Sequence, residues 1–236
     1  MHIDLNCDLG EGFPHDEALM PYISSANISC GEHAGSSEII HHTICLCKKY
    51  GVAIGAHPSF RDIENFGRKE MQLPEDELFD LLVNQITLIR YWCQAEGAIM
   101  HHVKPHGALY NMAARDINIS KTIARAVKEI DSSLIVYGLS NSYLISEVAK
   151  AGLQTAAEVF ADRRYTDDGY LVPRTEPNAI IDDENIAIEQ AMQFVRNSNK
   201  KRADTICLHG DNDQALNFAK KIHQTFKANN IAIQTV

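Results

Sequence analysis

Short runs in this sequence alternate apolar and small or polar residues with a period of two, and longer segments of helical period separate them. The runs occupy residues 2–7, 27–30, 52–57, 99–104, 134–138, 155–159 and 205–209, with a weaker eighth at 231–235. Successive side chains of a strand point to opposite faces, so the parity of each run states what its two sides meet. In the first, Ile3 and Leu5 oppose Asp4, Asn6 and Asp8. In the second, Ile28 opposes Asn27 and Ser29; in the third, Val52, Ile54 and Ala56 oppose Ala53, Gly55 and His57. The fourth sets Ile99 and Val103 against Met100, His102 and Lys104, and the seventh sets Ile206 and Leu208 against Thr205, Cys207 and His209.

A parallel sheet covered by helices on both faces reads as continuous apolar runs. Here one face is apolar and the other small or polar, as expected of a barrel with helices outside and a polar, partly filled interior. Alternation of strands with helices implies parallel pairing and helical crossovers. Seven or eight such units in 236 residues fit a closed α/β barrel, with an open doubly wound sheet as the alternative. No linker-like stretch interrupts the pattern, so one (β/α)-barrel domain over residues 1–236 is expected. Helix starts are expected at Ser36 and Ser37, at Pro74, at Ser120, after Asn141, and at Asp182 and Asp183; Ala215, Ala219, Ile222 and Phe226 stripe a last helix.

The net charge of −9 argues against a nucleic-acid partner, which needs basic patches. No run of eighteen apolar residues suggests a membrane span. The first residues enter a strand pattern at once, without the basic start and apolar stretch of a signal peptide, so a cytoplasmic protein is expected. Cys7, Cys30, Cys45, Cys47, Cys93 and Cys207 form no CxxC pair and read as reduced thiols filling small apolar spaces.

Parallel barrels keep their sites where strands end at the C-terminal face. In that position the chain offers Asp4, Asn6 and Asp8, then Asn27 and His33, then His57, then Lys104 and His106. Farther along come Glu158, Asp162 and Arg163, and finally His209 and Asp211. Five polar clusters at equivalent positions point to a shared site rather than to scattered core histidines. His33-Ala34-Gly35, Lys104-Pro105-His106-Gly107 and His209-Gly210-Asp211 each run from a strand toward a helix, with glycine allowing a tight turn. GxxxxGK[ST] is absent, so no Walker-type nucleotide site is read. Asp8, His33 and His57 are the candidates for a divalent metal, since imidazole and carboxylate suit zinc-like ions. His41, His42 and His101 fall on helix faces or outward parity and read as structural, while His2, His15 and His223 read as surface residues.

Eight segments then carry a resemblance. They are DLNCDLGEGF (4–13), NISCGEHAGS (27–36), IGAHPSF (54–60), FGR (66–68), HVKPHGALYN (102–111), EVFADRRY (158–165), DGYLVPR (168–174) and CLHGD (207–211). Together and in this order they resemble the LamB/YcsF family nearly end to end. Glu32 departs from the family's usual aromatic residue, and Ser36-Ser37 from its usual Gly-Asp, both beside His33. The resemblance implies the seven-stranded, irregular TIM-like barrel of the glycoside hydrolase/deacetylase superfamily. It also implies the A subunit of an ATP-dependent 5-oxoprolinase, which opens the lactam 5-oxo-L-proline to L-glutamate with ATP and water, alongside two further subunits, B and C. The sequence is compatible with a homo-oligomer as well.

Opening a lactam needs a base for water, a proton for the ring nitrogen and positive charge near the oxygen. Asp8 or His57 is the candidate base, His209 or His106 the proton donor, and Lys104 with Arg163 the charge stabilisers. Asn6 and Asn27 would orient substrate or water, and His33, Glu158, Asp162 and Asp211 complete the expected substrate pocket. Two alternatives compete: a metal-dependent deacetylase or amidohydrolase acting on a small carbohydrate or amide, and a non-catalytic subunit that only holds the lactam.

Overall fold

Closure of the sheet on itself satisfies the two-sided parity of the strands. The computed structural model describes residues 1–196, 202–208 and 215–236. In chain order the elements are β1 (His2–Leu9), α1 (Asp16–Leu19), β2 (Ser25–Ser29), α2 (Ser37–Tyr50), β3 (Ala53–His57) and α3 (Glu75–Ala95). Next come β4 (Met100–Val103), α4 (Gly107–Arg115), α5 (Ile117–Ile130), β5 (Ile135–Leu139) and α6 (Tyr143–Lys150). The remainder is β6 (Gln154–Phe160), α7 (Glu184–Arg196), β7 (Thr205–Leu208), α8 (Ala215–Ala228) and β8 (Ala232–Ile233). Each of β1 to β6 pairs parallel with the next, and β7 pairs parallel with β1, which closes a seven-stranded barrel. The short β8 pairs with His2 and Ile3 at the start of β1. Among the described residues no helix is long and apolar enough to cross a membrane.

The main core is the ring between strands and helices. Leu5, Ile28, Ile54, Val103, Val136, Val159 and Ile206 face outward and pack with Ile44, Leu82, Ile86, Ile123, Val127 and Ile222 from the helices. One helix start differs from expectation. Asp116 begins α5, its carboxylate accepting from the N–H groups of Asn118 (2.8 Å) and Ile119 (3.2 Å). Ser120 therefore lies inside the helix, its hydroxyl donating to the Ala113 carbonyl at 2.6 Å. As expected, α6 starts after Asn141; Ser142 caps it, and Asn141 takes a left-handed turn with φ 66°. Asparagine tolerates that conformation better than most residues.

Inside, the barrel is filled from the base by polar side chains and rings. Gly55 on β3 leaves the room that the His102 ring occupies: a Cβ there would lie 2.1 Å from Nε2 of His102. The other face of that ring stacks on Tyr137, with centroids 4.1 Å apart. Forcing an extra methyl group into such a gap costs about 1–3 kcal/mol. Gly55→Ala is expected to lower unfolding stability by that amount in urea titration; an unchanged midpoint would contradict this packing.

Candidate active site

Residues two apart on one strand face differ in depth by roughly 6–7 Å, so the inward residues of β1 mark three levels. Asp4 lies at the lowest, fully buried. Its carboxylate accepts from Ser24 (2.6 Å), Ser25 (2.7 Å) and Thr205 (2.6 Å). Burial raises its pKa while these hydroxyls oppose the rise. Asn6 and Asn27 form the middle level. Asn27 accepts from Nε2 of His102 (2.8 Å) and donates to Asn6 (2.7 Å) and to Asp8 (2.8 Å). Asn6 donates in turn to Glu158 (2.8 Å) and Thr205 (2.7 Å). Burial, followed by the charges of His101 and Lys104, holds His102 well below the usual histidine range. This level is sealed: both asparagine side chains are fully buried, with their amides committed to one another and to the carboxylates.

Lys104, just beyond the end of β4, spans the middle and upper levels. Its ammonium lies 2.9 Å from Asp8, 2.9 Å from Glu158, 3.1 Å from Asn6 and 3.1 Å from Sγ of Cys207. Burial alone would strip the proton from this amine. The surrounding negative groups, Asp8 foremost, outweigh burial and hold its pKa well above the ordinary lysine value. Burial pushes the Cys207 thiol up, so it stays neutral and the balancing charges are the two carboxylates.

Above this pair stand three histidine rings whose tautomers can be read from their partners. Nδ1 of His57 lies 2.7 Å from the Lys104 carbonyl and Nε2 of His106 lies 2.9 Å from the Phe66 carbonyl. A carbonyl only accepts, so each of these nitrogens carries hydrogen. The remaining nitrogens, Nε2 of His57 and Nδ1 of His106, face each other at 2.9 Å, with Oδ2 of Asp8 3.4 Å from the former. Burial, then the charges of His57 and His33, keeps His106 well below the histidine range. Two neutral rings would thus set lone pair against lone pair; a proton or a cation between them removes the conflict. The third ring, His33, stacks on His106 at 3.8 Å between centroids. It meets Glu11 through Nε2 at 3.1 Å and Ser59 through Nδ1 at 2.9 Å. Burial, then the charge of His57, depresses its pKa to about 3.

Asp8, His57, Lys104 and His106 all line one cavity of about 420 Å³ at the strand C-termini, within the size range of small-molecule sites. Its inner wall is apolar, built by Tyr110, Leu139 and Phe160, with Cys207 beneath. The Tyr110 hydroxyl faces Glu158; burial and that carboxylate raise its pKa well above the usual value. Arg68, Arg115 and Arg174 stand at the rim. Of the pocket residues expected from sequence, Arg163 also lines the cavity, but its guanidinium donates to the carbonyls of Val172 (2.6 Å) and Ala179 (3.4 Å). Burial, then the nearby Arg174, lowers its pKa to about 10. Glu158 lies under Lys104, and the carbonyl of Asp162 accepts from the N–H of Ile181 at 2.8 Å, at the root of the loop that Arg163 braces. His209 and Asp211 lie outside the described residues. The ligand atoms that gather within 4.8 Å are those of Asp8, His57 and His106, while His33 groups with Glu11 and His106.

The profile of the LamB/YcsF family matches residues 3–236. The chain belongs to that family. A member from Geobacillus thermodenitrificans, named as the A subunit of 5-oxoprolinase, is 48% identical, the alignment covering 99% of this chain and 96% of the relative. The crystal structure of a lactam utilization protein from Thermus thermophilus superposes with a TM-score of 0.93 at 36% identity, covering all of both chains. A family 4 carbohydrate esterase from Streptomyces lividans, at TM-score 0.52 and 12% identity, covers 98% of this chain and 91% of its own and shares the fold.

Within the LamB/YcsF segments, sequence reasoning passed over Glu11, Phe66, Arg68, Tyr110 and Phe160. Glu11 sits in the loop directly after β1, and Arg68 in the loop between β3 and α3. The signal that could have found both is their position after strand ends. The depressed pKa of His33 carries a sign. Unfolded, the ring binds a proton below about 6.5; folded, it stays neutral down to about 3. Its contribution to stability is complete above 6.5 and is lost as pH falls through that window, by up to about 1.4 kcal/mol per pH unit. His33→Gln is expected to flatten the fall of urea-unfolding stability between pH 6 and pH 4 by about that slope. Parallel slopes for variant and parent would reject the assignment.

Proposed function

We propose that this chain is the A subunit of an ATP-dependent 5-oxoprolinase, a cyclic amide hydrolase that converts 5-oxo-L-proline to L-glutamate with two partner subunits, B and C. The observation that carries this reading is its likeness over nearly its whole length to a relative named as the A subunit of 5-oxoprolinase. We take residues 1–236 as one cytoplasmic (β/α)-barrel domain. The cavity supplies a matching chemistry. A five-membered lactam has an apolar edge suited to Tyr110, Leu139 and Phe160, and its amide carbon would face Asp8, His57 and His106.

The lactam amide is resonance-stabilised, and phosphorylation of its oxygen by ATP converts it to an activated imidate. Lys104 pairs with Asp8 and fixes it beside His57. In our assignment the Asp8–His57 pair takes a proton from the attacking water, while His106, coupled to His57 at 2.9 Å, returns a proton to the ring nitrogen as the C–N bond breaks. The acyl phosphate so formed is hydrolysed by a second water to the glutamate carboxylate and inorganic phosphate. The rim arginines Arg68 and Arg174 suit the substrate carboxylate or the phosphoryl group. Asn6, Asn27 and Glu158 act from below as positioning residues, and Arg163 holds the wall formed by residues 163–180. His33 holds Glu11 and supports His106 by stacking. His209, Asp211 and Asp162 remain in the proposed site as sequence assignments.

A divalent cation also fits the chemistry of the donor set: the unshared pairs of His57 and His106 and the Asp8 carboxylate converge on one point. Bound there, it would polarise the carbonyl oxygen as a Lewis acid. This donor set favours one second reading, a metal-dependent deacetylase or amidohydrolase. Metal analysis and chelation, with assays on acetylated amino sugars, separate it from the first.

The deciding experiment combines this chain with its partner subunits, 5-oxoproline and ATP and measures glutamate. Glutamate should form only with all components present; none formed from the complete mixture would overturn the reading. In the same assay His57→Gln is expected to cost at least about 100-fold in turnover with the circular dichroism of the folded chain retained. Unimpaired turnover would remove the histidine pair from the reaction.

A further inference from the structure

We propose a second, separate metal site on the outside of the barrel, built from His41, Cys45 and Glu96 and suited to a zinc-like divalent cation. His41 and Cys45 are four residues apart on α2, which puts both side chains on one helix face. Glu96 follows the last residue of α3 and is fixed there by its N–H bonding to the carbonyls of Trp92 and Gln94. The Lys48 ammonium donates to the Glu96 carbonyl and ties the two helices together at this point.

The three side chains already converge. Nε2 of His41 lies 2.7 Å from Oε1 of Glu96, and the Cys45 thiol interacts with the same carboxylate. One nitrogen, one sulfur and one oxygen thus lie within 4.8 Å of one another. Stacking of the His41 ring on Trp92, with centroids 4.6 Å apart, sets the ring plane. In the sequence His41 reads as a structural histidine and Cys45 as an apolar filler. The structure differs, because Cys45 alone of the six cysteines is not buried. The His41 and Glu96 side chains are 39% and 28% exposed, so a cation has direct access from solvent.

The arrangement is that of a carboxylate approached by two hydrogen-bond donors, and a dication can replace both protons. Cys45 releases its proton to solvent and binds as thiolate, while the ring proton of His41 moves to Nδ1, freeing Nε2 as a ligand. Thiolate and carboxylate then balance the two positive charges. Imidazole, thiolate and carboxylate together form a zinc-type ligand set, with water in the fourth position. Nε2 of His41 and Oε1 of Glu96, 2.7 Å apart, need to separate by roughly 0.6 Å, since tetrahedral Zn–N and Zn–O bonds of about 2 Å place their atoms about 3.3 Å apart. The site shares no residue with the cavity cluster.

Alkylation of Cys45 in the native full-length chain, followed by mass spectrometry, tests the proposal with zinc ion as the probe. Zinc should slow alkylation saturably, by about tenfold once its free concentration is ten times the dissociation constant. Cobalt(II) should give a thiolate-to-metal absorption band in the near ultraviolet that Cys45→Ser abolishes. Both effects should vanish in the surface variant His41→Ala, while hydrolytic activity is unaffected. Alkylation indifferent to zinc at every concentration, or equal protection in His41→Ala, would overturn the site.

Discussion

The buried ammonium of Lys104 is the constraint on which the interior depends. A cation taken out of water is tolerable only if opposite charge and hydrogen bonds surround it, and the barrel supplies these from β1, β6 and β7 together. Asp8, Asn6, Glu158 and Cys207 are separated by up to two hundred positions in sequence, yet each lies within 3.1 Å of the same nitrogen. The polar filling therefore acts as a specification of closure. Slipping β1 or β6 by one residue would turn its inward carboxylate outward and leave Lys104 with an unmatched charge. Gly55 belongs to the same logic, since it lets His102 reach Asn27 and so fixes the amide that holds Asp8.

From that base the cavity face follows. Asp8 is held from below by Lys104 and Asn27, and His57 is held from behind by the Lys104 carbonyl. His106 is held by the Phe66 carbonyl on a loop pressed against its own. The approach is close: a Cβ on Gly107 would lie 2.4 Å from the Gly67 carbonyl oxygen. Hydrogen-bond direction, more than burial alone, sets the character of the facing nitrogens of His57 and His106, because both rings have spent their hydrogens on carbonyls and leave these two as acceptors. Electrostatic preorganisation of this kind places charge before a substrate arrives.

Much of this was legible in the sequence. Strand parity gave the closed barrel and put Asp8, His57 and Lys104 on the inner face, because alternation is a property of every residue in a strand. Depth was not legible. Asp4, Asn6 and Asp8 look equivalent on paper, but only the last reaches the cavity, since where a strand meets the mouth depends on its stagger against its neighbours. The histidines show the same limit: His33 and His106 both follow strand ends, and only loop geometry turns one toward Glu11 and the other toward His57. The start of α5 differed because two good capping residues, Asp116 and Ser120, lay close together, and the choice between them was made by the turn. Cys45 could not be told from its buried counterparts, as helix rotation against α3 decides its exposure.

The hydrogen bonds of the inner levels have a kinetic side. Asn6 to Glu158, Asn6 to Thr205 and Thr205 to Asp4 close loops of 152, 199 and 201 residues. Such contacts bring their reward only after the longest stretches of chain have been ordered, and topologies rich in them fold slowly. The half-made barrel must meanwhile carry an unclosed edge on β1 or β7, open to pairing with another chain. Assembly of the groups that line the cavity and protection against misassociation are thus one late event, completed when the first and seventh strands meet.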